Sequence, residues 1–161
     1  MESALSSMHS GTPVSSTSLT SPFNPFGLLS VASTSHLPHS YHPLKGLAVR
    51  LWNNYLQNVE GSPGLKLLHL PTDQVKIFSV IDNPAGAPFD NLALSFAIYF
   101  ASTVALDDSE ADIVLGKTKD MMLSDLKVGF EQALAHGDFL DRPTLTGLYA
   151  LIIYLVSSGR N

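Results

Sequence analysis

The stretch Leu44-Lys45-Gly46-Leu47-Ala48-Val49-Arg50-Leu51-Trp52-Asn53-Asn54-Tyr55-Leu56-Gln57-Asn58-Val59 decides how the rest of the chain is read. Its apolar side chains stand at Leu44, Leu47, Ala48, Leu51, Trp52, Tyr55, Leu56 and Val59, the i, i+3, i+4, i+7 series that lines one face of a helix. A half-buried strand would alternate apolar and polar instead, so the spacing predicts one amphipathic helix over 44–59. Trp52 and Tyr55 lie on its apolar stripe, which assigns them to a core rather than to a ligand. Glu60-Gly61-Ser62-Pro63-Gly64 then stops the helix with a terminating glycine and a proline that cannot continue the ladder.

Downstream the same period recurs. A short helical turn is expected over 65–70, broken by Pro71, with Thr72 capping a helix over 73–81 and Asp73 at its positive end. Asn83-Pro84-Ala85-Gly86-Ala87-Pro88 reads as a loop, and Asp90 is placed to cap a helix over 91–106. Leu92, Leu94, Phe96, Ile98, Tyr99, Phe100 and Val104 leave that helix no wide polar face, so it belongs in the middle of a helical layer. Asp107, Asp108, Glu110 and Asp112 suit the exposed amides at the start of the next helix, expected from Ser109 to about residue 135 with a bend at Gly116. Gly137 ends it. A last helix is expected from near Pro143 to about residue 158, because proline is tolerated in a first turn. No segment alternates cleanly. The predicted class is therefore all-α, an incomplete domain of about five to six helices over 41–161.

Upstream, residues 1–40 hold twelve Ser and four Thr, with Pro13, Pro22, Pro25 and Pro38, one acid at Glu2 and no base. Such a segment buries too little apolar surface to offset its ordering entropy and is expected to be a disordered arm. Within it, Phe23, Phe26, Leu28, Leu29 and Val31 form a short apolar island able to dock on the domain or on a partner. The arm has neither the cationic start nor the continuous apolar core of a secretory signal.

The 161-residue chain carries 9 Lys+Arg against 14 Asp+Glu, a net charge of −5, which excludes nucleic-acid binding driven by bulk charge. The absence of cysteine excludes a disulfide framework, a zinc finger, an iron–sulfur cluster and a cysteine nucleophile in this chain. Only 14% of the residues are charged against a typical quarter, so the surface is short of charge for an autonomous soluble protein. The most apolar runs, 92–106 and 148–156, fall below the roughly eighteen residues of a membrane span and read as core helices. A membrane-peripheral role for 148–156 is a minor alternative. The last helix presents Leu145, Leu148, Tyr149, Leu151, Ile152, Ile153, Leu155 and Val156 around most of its circumference with little chain after it to cover them. That uncovered surface predicts strong helicity with poor tertiary packing, and pairing with a second copy or a longer relative.

Chemistry has few supports. His69 with Asp73, and His136 with Asp138, are the local His/carboxylate pairs of the helical region. They are the residues on which an alternative reading as a small helical enzyme or ligand-binding module would rest. Structural roles at helix ends are the favoured reading of both. No H-x-x-x-H or H-E-x-x-H spacing occurs, and Pro38 and Pro43 prevent a helix that would align His36, His39 and His42 for a metal. No phosphate-binding glycine pattern and no G-x-S-x-G elbow is present. No catalytic, cofactor, metal or nucleic-acid site is expected.

The order of the pieces resembles one family. His42-Pro43-Leu44 leading into Leu51-Trp52-Asn53-Asn54-Tyr55-Leu56-Gln57-Asn58-Val59, then Lys66-Leu67-Leu68-His69-Leu70-Pro71-Thr72, is similar to the opening of the fungal-specific regulatory domain of binuclear zinc-cluster transcription factors. Ala97-Ile98-Tyr99-Phe100-Ala101-Ser102, Leu106-Asp107-Asp108-Ser109-Glu110, Gly116-Lys117, Glu131-Gln132-Ala133-Leu134-Ala135, Asp138-Phe139-Leu140 and Pro143-Thr144-Leu145-Thr146 resemble its successive helices. The resemblance covers about residues 41–158. It implies a nuclear regulatory domain that restrains or tunes an activator and, in some members, contributes to dimers. The family reads DNA through six cysteines holding two zinc ions, and this chain has none of those ligands, so neither DNA contact nor bound zinc is expected of it. The family's domain continues well beyond the point matching Ser158, so only its first part is expected here. A truncated gene product and a regulator that pairs with an intact factor both fit that expectation.

Overall fold

The structure, a computed structural model, describes residues 36–62 and 66–160. The expected arm and its apolar island at 23–31 lie outside the described residues as far as residue 35. Six α-helices are present among the described residues: α1 Lys45–Tyr55, α2 Leu70–Asp82, α3 Phe89–Ala105, α4 Asp108–Leu115, α5 Lys119–His136 and α6 Leu145–Ser158. There is no strand among them.

α3 is the axis around which the others are laid. Every residue from 92 to 103 is buried, as expected of a helix with no polar face. α6 and α5 make the most extensive contacts with it, followed by α1 and α2. Burying side chains the size of Leu92, Phe96 and Ile98 contributes about 1.5–3 kcal/mol each. The hydroxyls on α3 are all satisfied: Ser95 Oγ donates to the Asn91 carbonyl (3.0 Å) and Thr103 Oγ1 to that of Tyr99 (2.8 Å). Asn54 Nδ2 reaches across from α1 to the Ser102 hydroxyl (2.8 Å) and carbonyl (2.9 Å).

α1 buries Ala48, Leu51, Trp52 and Tyr55 as its period requires, then widens into a π-helical turn, Leu56–Glu60, which still places Val59 inside. Leu44, the first member of the stripe, is left 85% exposed because it precedes the helix as its N-cap.

Several boundaries differ from the sequence expectations for local reasons. Residues 66–69 form no helical turn. α2 starts instead at Leu70, with Pro71 in its first turn where the missing N–H costs nothing. Thr72 does not cap this helix: the Asp73 carboxylate accepts the His69 backbone N–H (2.8 Å). Pro88, not Asp90, holds the N-cap position of α3, and Asp90 accepts from the Asn91 amide (2.8 Å) within the first turn. The long helix expected over 109–135 is two helices, because Gly116 adopts φ +68°, a left-handed conformation that stops α4 outright. Thr118 then caps α5. Pro143 lies outside α6, whose cap is Thr144, accepting from the Gly147 amide (3.0 Å). At the other end, Pro38–Tyr41 forms a 3-10 turn against α5, across the arm–domain boundary expected near residue 41.

The expectation of an uncovered last helix holds on one side only. Gly147, Ala150, Ile153, Tyr154 and Ser157 are buried, with Tyr154 stacked on Phe130 of α5 (4.5 Å) and tilted against Phe100 of α3 (4.9 Å). The poor tertiary packing expected from an uncovered helix is therefore corrected: α6 completes a continuous core shared with α1, α2, α3 and α5.

Candidate functional site

His69 and Asp73 meet, but not through the imidazole. The Asp73 carboxylate holds the first turn of α2 through the His69 amide and pairs with Lys76 Nζ (3.0 Å), which also reaches Thr146 Oγ1 on α6 (3.2 Å). The His69 ring instead hydrogen-bonds Thr72 Oγ1 (2.9 Å) and is exposed. This arrangement ties α2 to α6 and closes a helix end, and it leaves no free base beside an acid.

His136 sits at the end of α5 with its ring stacked on Phe89 of α3 (5.6 Å). Asp138 turns the chain with φ +54°, its carbonyl accepting from the amides of Asp141 (3.1 Å) and Arg142 (2.8 Å). Asp tolerates that left-handed conformation better than most residues. No group of three or more His, Asp or Glu among the described residues is placed to hold a metal ion.

Two polar contacts, one part-buried and one buried, are not marked by the sequence. His42 leaves the 3-10 turn and enters the core edge. One ring nitrogen lies 2.7 Å from the Pro43 carbonyl and the other 3.2 Å from the Tyr99 hydroxyl, with Phe96 and Tyr99 edge-on to the ring. Burial lowers its pKa, so the ring is held neutral, one nitrogen donating to Pro43 and the other accepting from Tyr99. The second contact is Glu60 in the π-helical turn, 6% exposed, accepting from the Tyr55 hydroxyl at 3.2 Å. Burial pushes its carboxyl up, against the Tyr55 hydroxyl and the Leu68 amide, which favour the ionised form. No spacing rule marks such pairs, because their partners lie across a bend or 57 residues away.

What remains unsatisfied is a surface. On the side of α6 turned from α3, Leu145 is 64%, Leu148 45% and Val156 36% exposed, with Leu151, Ile152 and Leu155 half-buried between them. No charged residue occurs between Thr144 and Gly159. At the C-terminal end this face meets a cleft of about 170 Å³ bordered by Val59, Ala101, Val104 and Arg160. No helix among the described residues is long and apolar enough to cross a membrane.

Among the described residues, fold and surface together define an all-helical unit with one broad apolar face. Over most of its length the chain is similar to several fungal transcription regulators. It is 33% identical over 116 residues to transcriptional regulator nsrM of Aspergillus novofumigatus, a match covering 72% of this chain and 16% of the relative. It is 36% identical over 117 residues to the pyriculol/pyriculariol biosynthesis cluster transcription factor 1 of Pyricularia oryzae, covering 71% and 15%. It is 29% identical over 117 residues to the C6 finger domain transcription factor nscR of Aspergillus fumigatus, covering 70% and 15%. The chain thus corresponds to about a sixth of the length of these curated relatives. No family model matches the chain, and no solved structure matches it significantly.

Proposed function

We propose that residues 41–161 act as the opening part of a fungal transcription factor's regulatory domain, preceded by an arm over 1–40. In this reading the chain works in the nucleus as an interaction segment, without catalysis, cofactor or DNA contact of its own. The kinship with fungal transcription regulators carries it. The uncharged outward face of α6 supports it, because a contiguous apolar patch with no charge is how a soluble helix docks on another protein. Docking through α6 alone would bury roughly 450 Å², taking the helix as about 21 Å long and 11 Å wide. A stable protein interface needs about 1,200 Å² or more, so the partner, a second copy or a longer relative, touches more of the chain than this face.

The test fuses the chain to a heterologous DNA-binding domain in a fungal host and reads a reporter downstream of the tether. A change in reporter output is expected, and Leu148→Glu with Ile152→Glu should return it to baseline while the protein level is unchanged. No reporter response from the unmodified fusion would refute a regulatory role. In parallel, labelled duplex DNA should show no gel shift with the isolated chain at physiological salt, given its net charge of −5.

A further inference from the structure

We infer that the cleft at the C-terminal end of α6 is the anchor pocket of this docking surface: it takes one ring-sized apolar side chain from a different protein, while a carboxylate beside that side chain meets Arg160. This rests on the reading of α6 as a docking face and names the chemistry that the partner brings to it.

Small side chains at a three-way junction make the cleft. α3 contributes Ala101 and Ala105, one helical turn apart, with Val104 beside them. α6 faces them with Val156, and the π-helical turn after α1 closes the third side with Val59. Val59 and Ala101 are buried and form the floor, whereas Ala105, Val156 and Arg160 are exposed and form the rim. Side chains this short do not meet across the junction, and about 170 Å³ stays open between them. The Ser157 hydroxyl in the wall already donates to the Ile153 carbonyl (2.7 Å), so a ligand gains no donor there.

Size, continuity and charge choose the occupant. A cavity of about 150 Å³ with apolar walls holds one benzene ring, so this cleft matches a single Phe or Leu side chain. Sites for whole small molecules are larger, about 300–1,000 Å³. A side chain presented by a protein therefore fits better than a free metabolite. Val156 belongs both to the rim and to the uncharged outward face of α6, so a segment lying along that face passes over the mouth. Pockets placed this way hold the buried aromatic and aliphatic residues on which interface affinity concentrates. Arg160 is fixed at the mouth by its backbone N–H, which donates to the Ser157 carbonyl (3.2 Å). It is the one charged residue lining the cleft among the described residues, and none of their carboxylates lies within 4 Å of its guanidinium. A carboxylate one helical turn from the apolar residue would meet it with two parallel hydrogen bonds. A second copy docking with this same face would bring no such group, because no charged residue occurs between Thr144 and Gly159. The partner is thus a different protein, with an amphipathic helix that carries both.

The probe is phenylpropionate, a ring and a carboxylate joined by two methylenes, titrated into the isotopically labelled full chain and followed by NMR, with neutral phenylpropanol and cationic phenylpropylamine alongside. Shift changes centred on the methyls of Val59, Ala101, Val104 and Val156 are expected, with a Kd of the order of millimolar for the acid. The alcohol should bind about threefold more weakly and the amine more weakly still. Arg160→Gln should bring the acid down to the alcohol and leave the alcohol unchanged. Ala105→Phe, which fills the mouth from an exposed position, should abolish binding of all three with no loss of helicity, and Ala105→Leu repeats the measurement in case the first variant folds poorly. In the tethered reporter, Ala105→Phe should return the output to baseline. No shifts at the cleft methyls, or equal binding of the three probes, overturns the proposal. Micromolar binding of phenylpropionate overturns it in favour of a small-molecule site, and self-association that Ala105→Phe abolishes overturns it in favour of a second copy. A reporter that responds equally with and without Ala105→Phe also overturns it, and leaves the regulatory reading standing. A silent unmodified fusion removes the regulatory reading instead, and the probes still decide whether the cleft takes a ring and a carboxylate.

Discussion

Phe96 rests against the backbone of α5 so closely that a methyl group on Gly129 would lie 2.6 Å from its ring atoms. Phe96 is fully buried and has nowhere to swing, so Gly129→Ala should destabilise the protein by about 1–3 kcal/mol in urea unfolding. Phe96→Leu in the same chain should return part of that loss. Glu60 gives a test with a sign. Its folded pKa is raised by burial, so the stability it contributes is fully present below the unfolded value and is lost as pH rises through the folded one. Glu60→Gln should therefore raise the melting temperature more at about pH 8 than at about pH 4, and equal shifts at both would mean that the carboxylate is better solvated than its burial implies. Trp52 and Tyr55 could be read from spacing as core residues, and both are buried. His42 and Glu60 could not, because a buried polar group is defined by what faces it across the fold, and neither the Tyr99 hydroxyl nor the Leu68 amide is marked in the local sequence.

At the scale of elements, the apolar period located the helices, and capping chemistry set where they begin and end. The separation of α4 from α5 depends on Gly116, whose φ of +68° disfavours any side chain. Gly116→Ala should cost about 1–2 kcal/mol, and Gly116→Asn less, since Asn visits the left-handed region more readily; thermal melts of the two variants would rank them. From sequence a bend is expected at Gly116, and only the backbone angle turns that bend into a stop. The start of α2 departs from the sequence expectation at Pro71, because a proline in a first turn initiates a helix as readily as one in the interior ends it. His69, Asp73, His136 and Asp138 fall at helix ends and turns: the Asp73 carboxylate accepts the His69 amide, the His69 ring meets the Thr72 hydroxyl, the His136 ring stacks on Phe89 and Asp138 turns the chain at positive φ.

For the molecule as a whole, the central position of α3 was legible because no polar face was available to it, while the sheltering of α6 was not. Its side chains are apolar all round, and nothing in their order says which half meets α3. With that half buried, the chain should unfold cooperatively. Its single tryptophan, Trp52, is 1% exposed and stacked on Tyr55. Its blue-shifted emission should therefore be lost in the same transition as the far-ultraviolet helical signal, and separated midpoints would show that the helices persist without the core. The most extensive contacts of α3 are with the last helix, α6. On a translating ribosome, roughly fifty residues must be added after α3 before α6 is complete, about 3–11 s at ordinary elongation rates. For that interval one flank of the buried central helix stands bare in the cytosol, which makes the nascent chain a natural client for a chaperone.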